Sequence, residues 1–328
     1  MNNTNKSMTI NHGTPQGDYF RLAGKISLFV SCLVLWNSLA SVVFSQLDDP
    51  DSSPYEYRYF ILYDPNSSAL KSNPEPAGYL RPADSVINGF GVWLRHFPMR
   101  SPEEPLTTYI GGFIAAPSVI GGALDLTSPS PSQGARGVLY RLMIEYARHN
   151  EREMDVFFPG IADDTASFYK YVTGTYKTNA DRSKLFWREG DPRAIDDDMI
   201  TRFTLFSASV TSYRSLIRDC SEISEEDVMP GDVFIQADSA FRPDAHLAVV
   251  LDVALRDTSQ TTTLTGLDRI TPNKLFLFAN SLTPGTNFHI IKPIKPGKLN
   301  WFYPGELQKK HKAYGPGKYY RIQYAFIR

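Results

Sequence analysis

The chain has 328 residues, 42% of them hydrophobic and 21% charged, which excludes an intrinsically disordered polypeptide. A formal net charge of −1 excludes the broad basic surface of a nucleic-acid binder, so no nucleic-acid partner is expected. Aromatic residues reach 13%, which suits a β-containing core and leaves rings for a sugar-facing surface.

Residues 1–45 read as a signal peptide or N-terminal anchor. Arg21 and Lys25 precede an uncharged, largely apolar run at 26–44, and Val43 and Ser45 sit at −3 and −1 of a cleavage site before Gln46. The run approaches the ~20 residues that span a bilayer, so membrane contact through 26–44 is expected where it stays uncleaved. The remainder is then exported: periplasmic, secreted, or anchored at the outer face of the inner membrane. The only cysteines are Cys32, inside this segment, and Cys220. A cleaved chain would carry one thiol and no internal disulfide. Cysteine-rich zinc sites are excluded, and no metal or cofactor is expected.

Residues 46–76, rich in Asp, Ser, Pro and Asn, read as a linker with one short strand at 59–62. Residues 77–328 form one domain of the upper usual size. Within it, 86–96 is a short helix leading into the break at Pro98, and 123–126 a strand. Turn material fills 127–132. A helix follows at 133–150, where Val138, Leu139, Leu142, Met143 and Tyr146 recur at helical spacing. A second helix is expected at 164–172 and a longer one at 197–217, each opening on acidic residues that suit the positive helix end. From Val228 the character changes. Runs at 233–236, 246–255 and 274–282 are rich in β-branched and aromatic residues bounded by Pro, Gly, Asp and Thr, and read as strands. Helices first and strands later give an α+β fold.

The chemistry-bearing order is a helix start at Gln133-Gly134-Ala135, then His246 opening a strand, then Asn280 as a polar break in another strand. A papain-type peptidase places its thiol at a helix N-terminus, its base on a following strand, and a polar orienter on the next. The segment Pro230-Gly231-Asp232, an apolar strand, then His246-Leu247-Ala248-Val249-Val250 resembles the NlpC-type papain-like cell-wall peptidases over residues 230–252. More extensively, from Gly78-Tyr79 to about Tyr303, the chain resembles a bacterial family known only as domain of unknown function 4846. That likeness rests on the run from Val92 to Met99, on Gln133-Gly134-Ala135, Arg141-Leu142 and Glu145-Tyr146, and on Trp187 with Gly190. It continues through Gly231 to Ile235, His246, Asp252, Phe276 to Ser281, Pro284 and His289. The family's helix start reads Gln-Cys-Ala-Asp, whereas Gly134 stands here at the cysteine and Arg136 at the aspartate. The resemblance thus implies a papain-like core, helices packed on an antiparallel sheet with added N-terminal elements. In it His246 and Asn280 are the remnant base and orienter, and Gly134 marks the missing nucleophile.

Blander readings stand beside these. His246 also fits a satisfied strand-end histidine, Gly134 a helix-start glycine, and Asn280 a buried amide bonded to backbone. Cys220, in Arg218-Asp219-Cys220-Ser221, imitates a peptidase nucleophile, but only nine residues separate it from Pro230, too few for a catalytic helix and its return. Asp163 with Asp164, and 196–198, fit metal ligands or an acid/base pair, but fit helix caps better. The tail sets Lys309, Lys310 and Lys312 among Trp301, Phe302, Tyr303, Tyr314, Tyr319 and Tyr320, either lysines over packed rings or a surface for anionic glycan. The expectation is an exported cell-envelope domain, catalytically impaired, that binds envelope peptide or glycan. The alternatives are an active hydrolase pairing His246 with another nucleophile, such as Ser130 or Ser132, and a structural or glycan-binding envelope protein without catalytic ancestry.

Overall fold

The computed structural model describes residues 63–100, 106–107, 113–114, 120–123, 134–160, 164–179, 184–236, 246–259, 272–281, 286–293, 300–311 and 315–323. Contacts divide the chain after Ile61, and all described residues lie in the second unit. The targeting segment, the strand expected at 59–62, the turn at 127–132 with Ser130 and Ser132, and Asp163 lie outside the described residues. Among those described, no helix is long and apolar enough to cross a membrane.

In chain order the elements are β1 (Tyr63–Ser68), α1 (Ala69–Ser72), β2 (Tyr79–Leu80), α2 (Gly89–Arg95), β3 (Pro98–Arg100), β4 (Leu106–Thr107), β5 (Phe113–Ile114) and β6 (Ile120–Ala123). Next come α3 (Ala135–His149), β7 (Phe157–Pro159), β8 (Thr165–Ser167), α4 (Phe168–Val172), β9 (Gly174–Thr178), β10 (Leu185–Glu189), α5 (Asp197–Val210) and α6 (Tyr213–Arg218). The chain finishes with β11 (Cys220–Ile223), β12 (Val233–Gln236), β13 (His246–Arg256), β14 (Lys274–Asn280), β15 (His289–Ile291), α7 (Glu306–Lys310) and β16 (Gly317–Ile322). The fold is α+β. Its main sheet is antiparallel in the order β11-β16-β12-β13-β14-β15-β6, with β2 paired to the end of β13.

The period-2 alternation of the strands sorts their side chains onto two faces. Val233, Ile235, Leu247, Val249, Leu277 and Ala279 join the larger core, where they meet Phe90 and Leu94 of α2, Leu139 and Leu142 of α3, and Phe203 of α5. Phe234, Ala248, Val250, Phe276 and Phe278 point the other way, against Phe302 and Leu307 of the segment that carries α7. So α3 and α7 cover opposite faces. Everything about the site follows from that.

α3 begins within two residues of its expected start, and the five apolar residues that define its stripe are all buried. Gly134 is its N-cap, with an extended backbone and a carbonyl that accepts from Val138 N at 3.0 Å. Arg136 extends to the Ala208 carbonyl (2.7 Å) and lies over the Tyr213 ring, which ties α3 to the turn between α5 and α6.

Other expectations shift in detail. The long helix expected at 197–217 breaks after Val210, because Ser212 caps a new helix through a reciprocal pair with Ser215. The helix expected at 164–172 is only α4, capped by Ser167. Residues 165–167 pair instead as β8 with β7, as the β-branched Thr165 allows. Two elements, β1 and α1, lie inside the stretch expected to be linker; β1 pairs with β3, and Ser68 caps α1.

The Pro230-Gly231-Asp232 turn has a packing cause. Gly231 takes φ +93°, a region that L side chains avoid, and its N–H donates to the Val250 carbonyl at 2.8 Å. Asp232 accepts from Met229 N (2.7 Å) and takes a bidentate Arg321 from β16 (3.0 and 2.8 Å). Against this turn lies Gly91 of α2, where an added Cβ would stand 2.1 Å from the Pro230 carbonyl oxygen. Gly91→Ala is therefore expected to cost about 1–3 kcal/mol by overpacking, read as a lower urea midpoint at unchanged m-value. An unchanged midpoint would mean that α2 does not seat on the turn.

Candidate functional site

Three strands end at the same place with a polar residue on the α7 face. β12 carries Phe234 then Gln236, β14 carries Phe276, Phe278 then Asn280, and β13 runs back from His246 to Ala248 and Val250. Gln236 pairs with His246 in register, and Asn280 pairs with His289 of β15. The result is a row across four strands, Gln236, His246, Asn280 and His289, all buried. Buried polar groups need partners, and much of this row supplies its own.

Asn280 Nδ2 lies 3.0 Å from His246 Nε2. With the amide nitrogen toward the ring, Asn280 donates and Nε2 accepts, which leaves the ring proton on Nδ1. The His246 ring stacks on that of His311 just past α7, with centroids 3.8 Å apart and planes 20° from parallel. Burial, then the charges of His311 and Lys310, hold the His246 pKa down at about 3. His311 is lowered to about 4, by burial first and Lys310 second. His289 donates from Nδ1 to the Asn287 carbonyl (2.9 Å), and burial holds its pKa at about 4. Gln236 Nε2 donates to the Gly315 carbonyl (2.8 Å) and the His311 carbonyl (3.3 Å), which fastens the end of β12 to the α7 segment. These imidazoles are neutral at pH 7.

The structure thus brings together two of the three site residues expected from sequence, His246 and Asn280. It does not bring Gly134 to them. Gly134 caps a helix on the opposite face of the sheet, and the side chain of His246 points into the α7 layer. A papain-type pair needs helix start and imidazole on one face. Strand parity gives the reverse, because His246 lies an even number of residues from Ala248 and Val250, while Leu247 and Val249 face α3. Sequence reasoning missed Gln236 and His311. Gln236 was legible as the residue two beyond Phe234, at the end of the same face; His311 carried no strand signal at all.

The remaining candidates resolve as structure. Cys220 opens β11, and burial first, then Asp219 and Asp232, push its thiol up to about 12, so it holds almost no thiolate at neutral pH. Asp196 caps α5 through Met199 N (2.7 Å), Asp197 pairs with Arg148 and Asp198 with Arg202. Asp164 accepts from Leu185 N at 2.7 Å, at the start of β10. Among the described residues no three His, Cys, Asp or Glu side chains are grouped to hold a metal ion.

A second polar centre lies on the α3 face. A bulge between Val250 and Asp252 turns Asp252 toward α2, where Arg95 binds Oδ1 through Nε (3.0 Å) and Nη2 (2.7 Å). Arg81 binds Oδ2 through Nε and also reaches the carbonyls of Leu70 and Asn73. The Arg81 guanidinium lies over Trp301, whose Nε1 donates to the Pro74 carbonyl at 3.0 Å. One carboxylate therefore joins the segment around 70–74, α2, β13 and the chain at 300–301.

Comparison with known proteins gives one match. A family model described as a domain of unknown function (4846) matches residues 71–316, three quarters of the chain, including both polar centres. No curated protein and no solved structure matches.

Proposed function

We propose that this chain, which belongs to the family described as domain of unknown function 4846, is an exported cell-envelope domain that binds envelope glycan or peptide without hydrolysing it. The observation that carries the non-hydrolytic part is the separation of faces. His246 and Asn280 are joined at 3.0 Å beneath His311, while the helix start at Gly134 lies across the sheet and carries no side chain. A general base works best with a pKa near the operating pH, and an imidazole held at about 3 is a weak base at pH 7. His246 and Asn280 keep the contact of a base and its orienter, while the described cysteine, Cys220, opens β11. Export rests on the charged, then apolar, N-terminal run, and the envelope is the destination this reading takes among those that export allows.

The test is sedimentation of the full chain with purified peptidoglycan sacculi, with assay of soluble fragments released. Retention with no release is expected, and His246→Ala should leave retention unchanged. Fragment release that disappears in His246→Ala would establish a hydrolase instead. A chain that stays in the supernatant has no envelope ligand of this kind.

A further inference from the structure

Strand parity sorts the residues of the β9–β10 hairpin onto two faces, and the inner one is packed. There the Tyr176 ring stacks on Phe206 of α5, with centroids 5.0 Å apart, and Tyr176 Oη accepts from Ser167 N at 3.0 Å. Trp187, paired with Tyr176, donates from Nε1 to the Lys170 carbonyl (2.7 Å) and lies against Gly174, where a Cβ would stand 2.6 Å from that nitrogen. These contacts seat the hairpin on the domain and turn its other face outward.

The outward face centres on Phe186, with Lys177 directly across from it and Arg188 two residues along β10. Lys184, two residues the other way, is held opposite Asn179, whose N–H donates to its carbonyl (3.4 Å) and whose Oδ1 accepts from its N–H (2.9 Å). The Phe186 ring is 56% exposed, and all three cations around it are exposed. No acid shares this face. Thr175 and Asn179 complete it, Glu189 has the inner parity, and Asp164 accepts from Leu185 N (2.7 Å) at the strand edge. On a chain of formal net charge −1, three cations around one ring are a local excess that fits an anionic partner.

We propose that this face rests on an anionic phospholipid surface. Phe186 enters the boundary between headgroups and acyl chains, and Lys177, Lys184 and Arg188 meet the phosphates. This goes beyond the envelope reading above, since it needs neither glycan nor peptide. Two features favour a bilayer over a soluble anion. The Phe186 ring has no polar atom, so it gains by leaving water for hydrocarbon. The cations stand around it on long apolar stems, which keep the charges at headgroup level while the ring goes deeper. With the whole set exposed, no wall encloses a small ligand. Each cation strengthens attachment to an anionic surface by only about fivefold. Three therefore orient a chain that the apolar run at 26–44 tethers, and do not hold it alone.

The experiment follows hydrogen exchange of peptides covering 174–189 in the full chain. It compares vesicles of phosphatidylcholine alone with vesicles that also contain phosphatidylglycerol, so a tether common to both cancels. Lys177→Gln with Lys184→Gln and Arg188→Gln removes the charges, and Phe186→Ser removes the ring. All four positions are exposed, so urea midpoints should stay unchanged. The expected result is exchange slowed several-fold by the anionic vesicles only, an effect that fades in high salt, is lost in the triple variant and is reduced in Phe186→Ser. Exchange that ignores the anionic lipid, or slowing that survives the triple variant, would overturn the proposal. Slowing by soluble polyphosphate but not by vesicles would overturn the lipid assignment and give the face to an anionic polymer. Sacculus retention is a separate readout, so failure of the envelope reading and failure of this one are told apart.

Discussion

Replacing Asp252 by alanine is expected to destabilise the protein by about 3–5 kcal/mol, the cost of leaving buried charges without their partner. Arg95 and Asp252 have side chains only 3% and 2% exposed, and Arg81 11%, so water cannot take over the lost bonds. Arg95 would keep Asp84 at 2.6 Å, but Asp84 is half exposed and screened by solvent. Arg81 would keep two backbone carbonyls and the Trp301 ring. With typical domain stabilities of about 5–15 kcal/mol, the variant should unfold at far lower urea or express poorly. The triple variant Asp252→Leu with Arg95→Met and Arg81→Met, which removes both cations together with their carboxylate, separates causes. If stranded charge is the reason, this variant should lose much less than Asp252→Ala. A loss below about 1 kcal/mol in Asp252→Ala would show that the cluster contributes little.

The second large effect is acid lability. In the unfolded chain histidines titrate near 6.5, whereas His246 and His289 stay neutral in the fold until about pH 3 and pH 4. Between those limits the unfolded state binds more protons than the folded one, so stability rises with pH. It is complete above about pH 6.5, falls as the pH drops through 6.5 toward 3–4, and levels off below. At pH 5 each of these two histidines costs about 2 kcal/mol. His311 adds less, since solvent reaches part of its ring. Urea midpoints at pH 7.5, 6, 5 and 4 should show a steep decline, flattened in a His246→Gln, His289→Gln double variant. A midpoint that holds between pH 7.5 and 5 would mean that these rings are hydrated or paired with acids in the fold.

How much of this was legible in the sequence follows from where the signals are local. The α3 stripe, the strand at 233–236 and the opening of β13 at His246 rest on periodicity within one element, and they stand where periodicity puts them. The contact of His246 with Asn280 was legible too, because both end strands that read as neighbours. Which face they share was legible in principle, since counting from His246 to Val250 fixes it. The peptidase-like motif implies the α3 face for His246, whereas strand parity gives the α7 face. Asp252 was visible only as a residue of the resemblance. Its pairing with Arg81 and Arg95 spans 171 and 157 residues, a separation that no local pattern reports. The break at Ser212 was hidden in an apolar period that continues across it, although the two serines that make the cap were in plain view.

The most direct test of the central claim, that helix start and imidazole occupy opposite faces, is the pH dependence of iodoacetamide alkylation of Gly134→Cys, with and without His246→Ala. The helix N-terminus alone lowers a thiol pKa, so the comparison between the two backgrounds is what decides. The predicted result is one and the same pH profile for both, with alkylation governed by the helix end alone. A thiol pKa that is strongly depressed with His246 present and returns toward the free value in His246→Ala would place the two on one face and contradict the account.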